Sequence, residues 1–218
     1  MAKRGASRQA LRIATWNINS VRLRLPLLQN LVTDLAPDVI CLQETKCPDE
    51  AFPHEGIAAL GFTHRLIRGM KGYNGVAVLS RLPISLREDD PDWCGKGDCR
   101  HLGVMLDAPG GPVELHNFYV PAGGDIPDRE ANPKFGHKLD FVAEATRWFD
   151  ARGAKRGIKG KQLLGVAFLF RGRAAGQRNA RLHQALVFAF GFAEFSPCRA
   201  ATTAATAAPI SGWWRVIE

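Results

Sequence analysis

Aspartate disappears from this chain after Asp150: residues 1–150 hold twelve, and residues 151–218 hold none. Glutamate thins there too, to Glu194 and Glu218. A stretch without aspartate excludes, for its own length, the Asp-His couples on which general-base chemistry draws. Basic residues do not thin. Residues 1–150 carry 18 Lys and Arg against 19 Asp and Glu, whereas residues 151–218 carry 11 against two, so the net charge of +8 lies wholly in the tail. A basic-protein argument for nucleic-acid binding would rest on that tail alone. The five cysteines, Cys41, Cys47, Cys94, Cys99 and Cys198, are odd in number and lack C-x-x-C spacing, which argues against a disulfide framework and a zinc site and for a reducing compartment. No apolar run reaches the roughly 18 residues of a membrane-spanning helix, and the apolar stretch behind the basic MAKRGASRQA is too short for a signal peptide, so a cytoplasmic protein is expected.

What is present reads as one α/β domain. The composition, 46% apolar and 23% charged, is ordinary for a globular chain. LRIATWN (11–17) is strand-like and runs into the turn formers Asn17, Asn19 and Ser20. PLLQNLVTDL (26–35) places Leu27, Leu28, Leu31, Val32 and Leu35 at helical spacing, with Pro26 at the start and Pro37 as the stop. DVICLQ (38–43) is a nearly continuous apolar run, the mark of a strand buried on both faces, so the opening is strand, helix, strand. GVAVLSRLPI (75–84), VELHNFYV (113–120) and KQLLGVAFLF (161–170) are further strand candidates, and DDPDWCGKGD (89–98) is a polar loop. NPKFGHKLDFVAEATRWFDARG predicts a helix with Asn132 as N-cap, Pro133 at its first position, Phe135, Leu139, Val142 and Phe149 on one face, and Gly153 as stop. Beyond it RGRAAGQRNAR is polar, LVFAFGFAEF is apolar without clear period, and AATTAATAAP is low-complexity.

Asn17 and Glu44 follow buried strands directly, where α/β folds place their ligand crevices, and Tyr119 closes a third strand. Alone, Asn17 reads as a turn residue and Glu44 as a helix cap or surface carboxylate. The three together make a site.

The stretches TWNINSVRLR, DVICLQETK, YNGVAVLSR and NFYVPAGGDIPDREANPKFGHKLDF, spread over about residues 10–155, resemble the exonuclease III family of DNA-repair nucleases within the endonuclease/exonuclease/phosphatase superfamily. QET after a strand is fairly specific to the superfamily, and YVPAGG…NPKF…K points to the exonuclease III branch. The resemblance implies a four-layer α/β sandwich, the DNase I-like fold, hydrolysing DNA phosphodiesters with Mg²⁺ or Mn²⁺. The implied activities are 3′-to-5′ exonuclease action and incision 5′ to abasic sites. It further implies Glu44 as the main metal ligand, Asn17 beside the metal and Tyr119 on the target phosphate. Double-stranded DNA, especially with an abasic site, is the implied partner of a monomer that binds no membrane. Lys46, Arg129, Lys134 and Lys138 are candidates for backbone phosphates, each reading equally as a solvated side chain. A single glutamate on a rigid strand suits Mg²⁺, which keeps most of its waters and takes one or two carboxylates plus phosphate oxygens.

The resemblance stops at the tail. The family carries a G-D-L-N or G-D-x-N motif on the strand after the NPKF helix, an Asp-His pair near its C-terminus and an upstream R-x-D motif. Here that strand reads LLGVAFLF, and none of His54, His64, His101, His116, His137 and His183 follows an aspartate. General-base catalysis contributes roughly 10²- to 10⁴-fold, so activity well below that of an intact relative is expected. The expected organisation is a basic arm (1–9), the N-terminal part of the nuclease domain (10–156) and a non-family tail (157–218) arising from a frameshift or truncation. The fold is then expected to be incomplete, with apolar faces left exposed or covered by a poor substitute. A non-catalytic nucleic-acid-binding protein, or a phosphoesterase of the superfamily with another substrate, are the alternative readings.

Overall fold

The computed structural model describes residues 11–87, 91–155, 162–170, 183–190 and 214–217, the last three segments as backbone strands. The basic arm (1–9) and most of the tail lie outside the described residues. Two five-stranded sheets form the centre. The first has the order β10-β1-β2-β4-β3, from β1 (Ile13–Asn17), β2 (Val39–Gln43), β3 (His64–Arg68), β4 (Val76–Ser80) and β10 (Trp214–Ile217). The second has the order β5-β6-β7-β8-β9, from β5 (Ile84–Leu86), β6 (His101–Ala108), β7 (Gly111–Tyr119), β8 (Gln162–Phe170) and β9 (His183–Phe190).

Three apolar layers make this a four-layer sandwich. Helix α1 (Leu25–Leu35) lays Leu28 and Leu31 on the outer face of the first sheet, against Ala14, Trp16, Ile40, Leu42 and Leu79. Its end is a left-handed Ala36 whose N–H bonds the Val32 carbonyl, and Pro37 prevents continuation. The short α2 (His54–Ala59) adds Ile57 to the same layer. Between the sheets, Val39, Cys41, Val76 and Val78 meet Val104, Leu106 and Leu115. Under α3 (Pro133–Lys155), Trp93, Phe118, Val120 and Phe141 are buried together.

Several expectations change. The helix at 133 is capped as read, with Asn132 Oδ1 accepting the Lys134 N–H at 3.1 Å, but it passes through Gly153 to Lys155. Its buried face is Phe141, Ala145, Trp148 and Phe149, whereas Leu139 and Val142 are 40% and 45% exposed. The cause lies in the polar loop, whose Trp93 is 4% exposed and offers an aromatic surface that selects the Phe141/Trp148 stripe. The apolar faces between the sheets are covered: Val39, Cys41, Val78, Val104 and Leu115 are fully buried. The tail supplies backbone neighbours for both sheets: β8, at the strand expected over 161–170, runs parallel to β7, and β10, which was not expected, runs antiparallel to β1. Backbone pairing asks only for β-prone residues, and QLLGVAFLF and HQALVFAF supply them.

A buried polar pair joins the sheets. Gln43 Nε2 donates to Asn117 Oδ1 at 2.6 Å, and Asn117 Nδ2 donates to the carbonyls of Leu42 and Ala77 at 2.9 and 3.0 Å. This strap fixes how β7 lies over β2, and the candidate site begins one residue beyond it on one strand and two on the other.

Candidate active site

Glu44 follows β2 in a left-handed conformation, φ 55°. Its carboxylate is thereby turned across the ends of the strands, and neighbouring loops lock it there. Ser20 N–H bonds the Glu44 carbonyl, Val21 N–H that of Thr45, and Thr45 and Lys46 N–H bond Gly75 and Asn74. Gly75 is required: it has φ 88°, and a Cβ there would stand 2.2 Å from Thr45 Oγ1. Asn19, Ser20, Lys46 and Asn74 are also left-handed, so five non-glycine residues in unfavourable backbone regions surround one carboxylate. Such clustering of strain is a feature of functional sites.

Asn17, Glu44, Tyr119 and Lys46, four of the residues singled out in the sequence, come together. Glu44 Oε1 accepts from Asn17 Nδ2 at 2.7 Å and from the Tyr119 hydroxyl at 2.8 Å, while Lys46 Nζ lies 3.0 Å from Oε2 and also bonds Asn19 Oδ1. Burial would push the Glu44 carboxyl up, but the hydrogen bonds of Asn17, Tyr119 and Lys46 outweigh it and hold the carboxyl below its ordinary value. Burial, and then the Glu44 charge, push the Tyr119 hydroxyl well above its ordinary value. Tyr119 therefore stays protonated and acts as a donor, and Glu44 stays anionic.

Arg129, Lys134 and Lys138 make other contacts. Arg129 is engaged with Asp140, Nη2 to Oδ1 at 2.6 Å, because the loop ahead of α3 folds back along it. Lys138 Nζ reaches the Ala122 carbonyl at 3.5 Å, and Lys134 is exposed in the first turn of α3. Residues not foreseen are Arg100, Asp98 and Asn74. Arg100 stacks its guanidinium 4.7 Å from the Tyr119 ring centre and donates to the Tyr119 carbonyl at 3.3 Å. The signal available was DCR placed just ahead of β6, a strand whose mixed residues concealed it.

Strand β8, on which the resemblance leads one to expect an acidic motif, carries no acid. In register, Val166 stands beside Asn117 and Phe168 beside Tyr119, and no residue of β8 is Asp or Glu. Among the described residues, no three His, Cys, Asp or Glu side chains gather as a metal site. Glu44 offers one carboxylate, which suits a hard dication that keeps most of its waters and takes phosphate oxygens from its substrate; its present partners are the donors Asn17, Tyr119 and Lys46.

Comparison with known proteins shows the family of the chain. The Endonuclease/Exonuclease/phosphatase family matches residues 14–162, and the chain belongs to that family. It is 33% identical to the exodeoxyribonuclease III of Haemophilus influenzae over 141 residues, 64% of this chain and 51% of that protein. The chain thus spans about half the length of this curated relative. A 3′ phosphatase from Neisseria, solved with a product DNA hairpin, superposes with a TM-score of 0.57 at 30% identity, covering 73% of this chain and 57% of that one. An AP endonuclease from Archaeoglobus fulgidus gives 0.58 at 26% identity, covering 72% and 56%.

Proposed function

We propose that this chain is a DNA-repair nuclease of exonuclease III type that uses Mg²⁺ or Mn²⁺ to hydrolyse phosphodiesters of double-stranded DNA, by 3′-to-5′ exonuclease action and 5′ to abasic sites, at a rate reduced by its tail. The observation that carries this reading is the Glu44 carboxylate clasped by Asn17 and Tyr119 at the joined ends of strands from both sheets. Glu44, with Asn17 beside it, would hold the dication, whose bound chemistry is charge neutralisation of the phosphate and of the departing 3′ oxygen. The protonated Tyr119 hydroxyl donates to a non-bridging phosphate oxygen. Lys46, already balancing Glu44, lowers the electrostatic cost of bringing a polyanion to this end of the sheets.

A docking rim supports the DNA reading. The loops at 18–24 and 70–75 both bond to the 44–46 segment and present Arg22, Leu23, Lys71 and Tyr73 to solvent, with Leu23 79% and Tyr73 57% exposed. Cations alternating with an aliphatic and an aromatic side chain suit a phosphate backbone and its bases. Arg129, Lys134 and Lys138 would extend phosphate contacts on the adjoining surface. The cytoplasm is the proposed compartment and a monomer the proposed state; no described helix is long and apolar enough to cross a membrane.

The decisive experiment is incision of a duplex carrying one abasic site, with Mg²⁺ and with EDTA, by the chain and its Glu44→Ala variant. Mg²⁺-dependent cleavage lost in the variant is expected. Salt-sensitive binding without any cleavage would replace this reading with that of a non-catalytic binding protein. The likeness to a 3′ phosphatase favours a second substrate, a 3′-phosphorylated DNA end, tested by phosphate release from such an end.

A further inference from the structure

A closed circuit of interactions runs around the site. Glu44 accepts from the Tyr119 hydroxyl at 2.8 Å, and Tyr119 lies under the Arg100 guanidinium. Arg100 Nε pairs with Asp98 Oδ2, and the Asp98 carbonyl accepts from Asn74 Nδ2 at 2.9 Å. The Asn74 carbonyl accepts the Lys46 N–H at 3.0 Å, and Lys46 Nζ returns to Glu44 at 3.0 Å. Tyr119 is held on its backbone as well: its N–H bonds the Arg100 carbonyl at 2.7 Å, and its carbonyl accepts from Arg100 Nη1 at 3.3 Å.

We propose that Arg100, locked by Asp98, is the positioning residue of this site, fixing the plane of the Tyr119 ring so that its hydroxyl is aimed at Glu44 and the phosphate. This rests on the nuclease reading above. A tyrosine ring carried by a strand end pivots about its Cα–Cβ and Cβ–Cγ bonds, and a hydrogen bond at the hydroxyl restrains only its tip. Stacking by a planar guanidinium restrains the face. The arginine is itself pinned, because Asp98 takes its Nε while the Tyr119 carbonyl takes Nη1. Packing alone would not pin it: Arg100 and Asp98 line a cavity of about 320 Å³ with Arg68, Trp93 and Cys99. The ion pair across that opening is 15% exposed on each side, sheltered enough to hold. The left-handed Cys99, φ 51°, lies between the two partners and turns both side chains toward Tyr119.

The chain contains two tyrosines, Tyr73 and Tyr119, so ring-selective ¹³C labelling gives a spectrum assignable with Tyr73→Phe. In Arg100→Gln the Tyr119 ring resonances should move toward those of the exposed Tyr73, while the dispersed amide spectrum is retained. Arg100→Lys, which restores a cation over the ring, should recover part of the shift. On abasic duplex, Arg100→Gln should lower kcat about 10- to 100-fold with KM changed less than about twofold, because misplaced groups are lost from the transition state rather than from binding. Should Arg100→Gln fail to fold, Asp98→Asn carries the test, with the same displacement expected. Unmoved Tyr119 resonances in a folded Arg100→Gln or Asp98→Asn protein would overturn the proposal. Absence of cleavage by the unaltered chain would overturn the nuclease reading instead and leave the ring measurement standing.

Discussion

At the scale of single residues, Glu44 joins three unusual conditions: a left-handed backbone, a half-buried carboxylate and a charge kept by its neighbours. Because its folded pKa is depressed, its contribution to stability is present above about pH 4.5 and is lost as pH falls through the folded value. Glu44→Gln keeps the shape and one acceptor for Asn17 and Tyr119 but removes the charge. It should leave the amide spectrum at pH 7 nearly unchanged while lowering metal-dependent cleavage by about 10²-fold or more, read in single-turnover incision. Glu44, Asn17 and Tyr119 were legible in sequence because each ends a run of buried β-branched or aromatic residues, and such positions emerge at the strand ends of one crevice. Arg100 was not legible, since its role comes from lying opposite Tyr119 across the β6–β7 pair, a relation that only pairing register reveals. For Arg129 the charge was visible in the sequence, but its partner Asp140, eleven residues on in α3, was not.

At the scale of elements, α3 shows what periodicity can and cannot fix. NPKF with its cap marked the start, but two apolar stripes competed for the buried face. Trp93, from a loop read as merely polar, chose between them. Phe141→Ala should therefore cost about 3–5 kcal/mol in urea unfolding, and Val142→Ala within about 0.5. Beneath this helix runs a buried chain in which His101 Nε2 meets His116 Nδ1 at 2.9 Å, His116 Nε2 meets Glu114 Oε1 at 3.0 Å, and Arg87 pairs with Glu114 at 2.7 Å. Burial lowers His116 from 6.5 to about 4, against the pull of Glu114. Burial would raise Glu114, but His116 and Arg87 bring it down to about 2. The folded state thus binds fewer protons than the unfolded one at both groups. Stability from His116 is complete above about pH 6.5 and declines toward pH 4; that from Glu114 declines between about 4.5 and 2. Moving from pH 7 to 5 should lower unfolding free energy by on the order of 1–2 kcal/mol, and His116→Asn should flatten that limb in denaturant melts at the two pH values.

At the scale of the whole molecule, the two halves of the chain contribute differently. Residues 14–162 carry the family likeness; beyond them, backbone pairing continues the sheets without the expected acids. Strands β1, β2, β4, β7 and β8 were legible because each is a run of apolar, β-prone residues; β3 and β6 were not, because their residues are mixed, and the reading 75–84 joined β4 to β5, which belong to different sheets. Beyond β8, β9 and β10 owe their places to the open edges of β8 and β1 and to no pattern of their own. We propose that residues 157–218 are read out of frame. Reading the encoding DNA in its other frames beyond codon 155 should recover G-D-L-N followed by S-D-H; failure to find both would leave the tail a divergent C-terminal region. Ending the chain after Arg156 should bare the edges of β7 and β1 and give larger, concentration-dependent oligomers than the full chain on size exclusion, a failure expected of unpaired inner strands. The Gln43–Asn117 strap has a wider meaning at this scale. Since the carboxylate and the phenol descend from opposite sheets, and that amide pair sits one residue behind the first and two behind the second, the site acts as a vernier for sliding of one sheet over the other. A slip too small to unfold the sandwich is first registered as a lost alignment of Glu44 and Tyr119, so warming should silence the chemistry before it melts the protein.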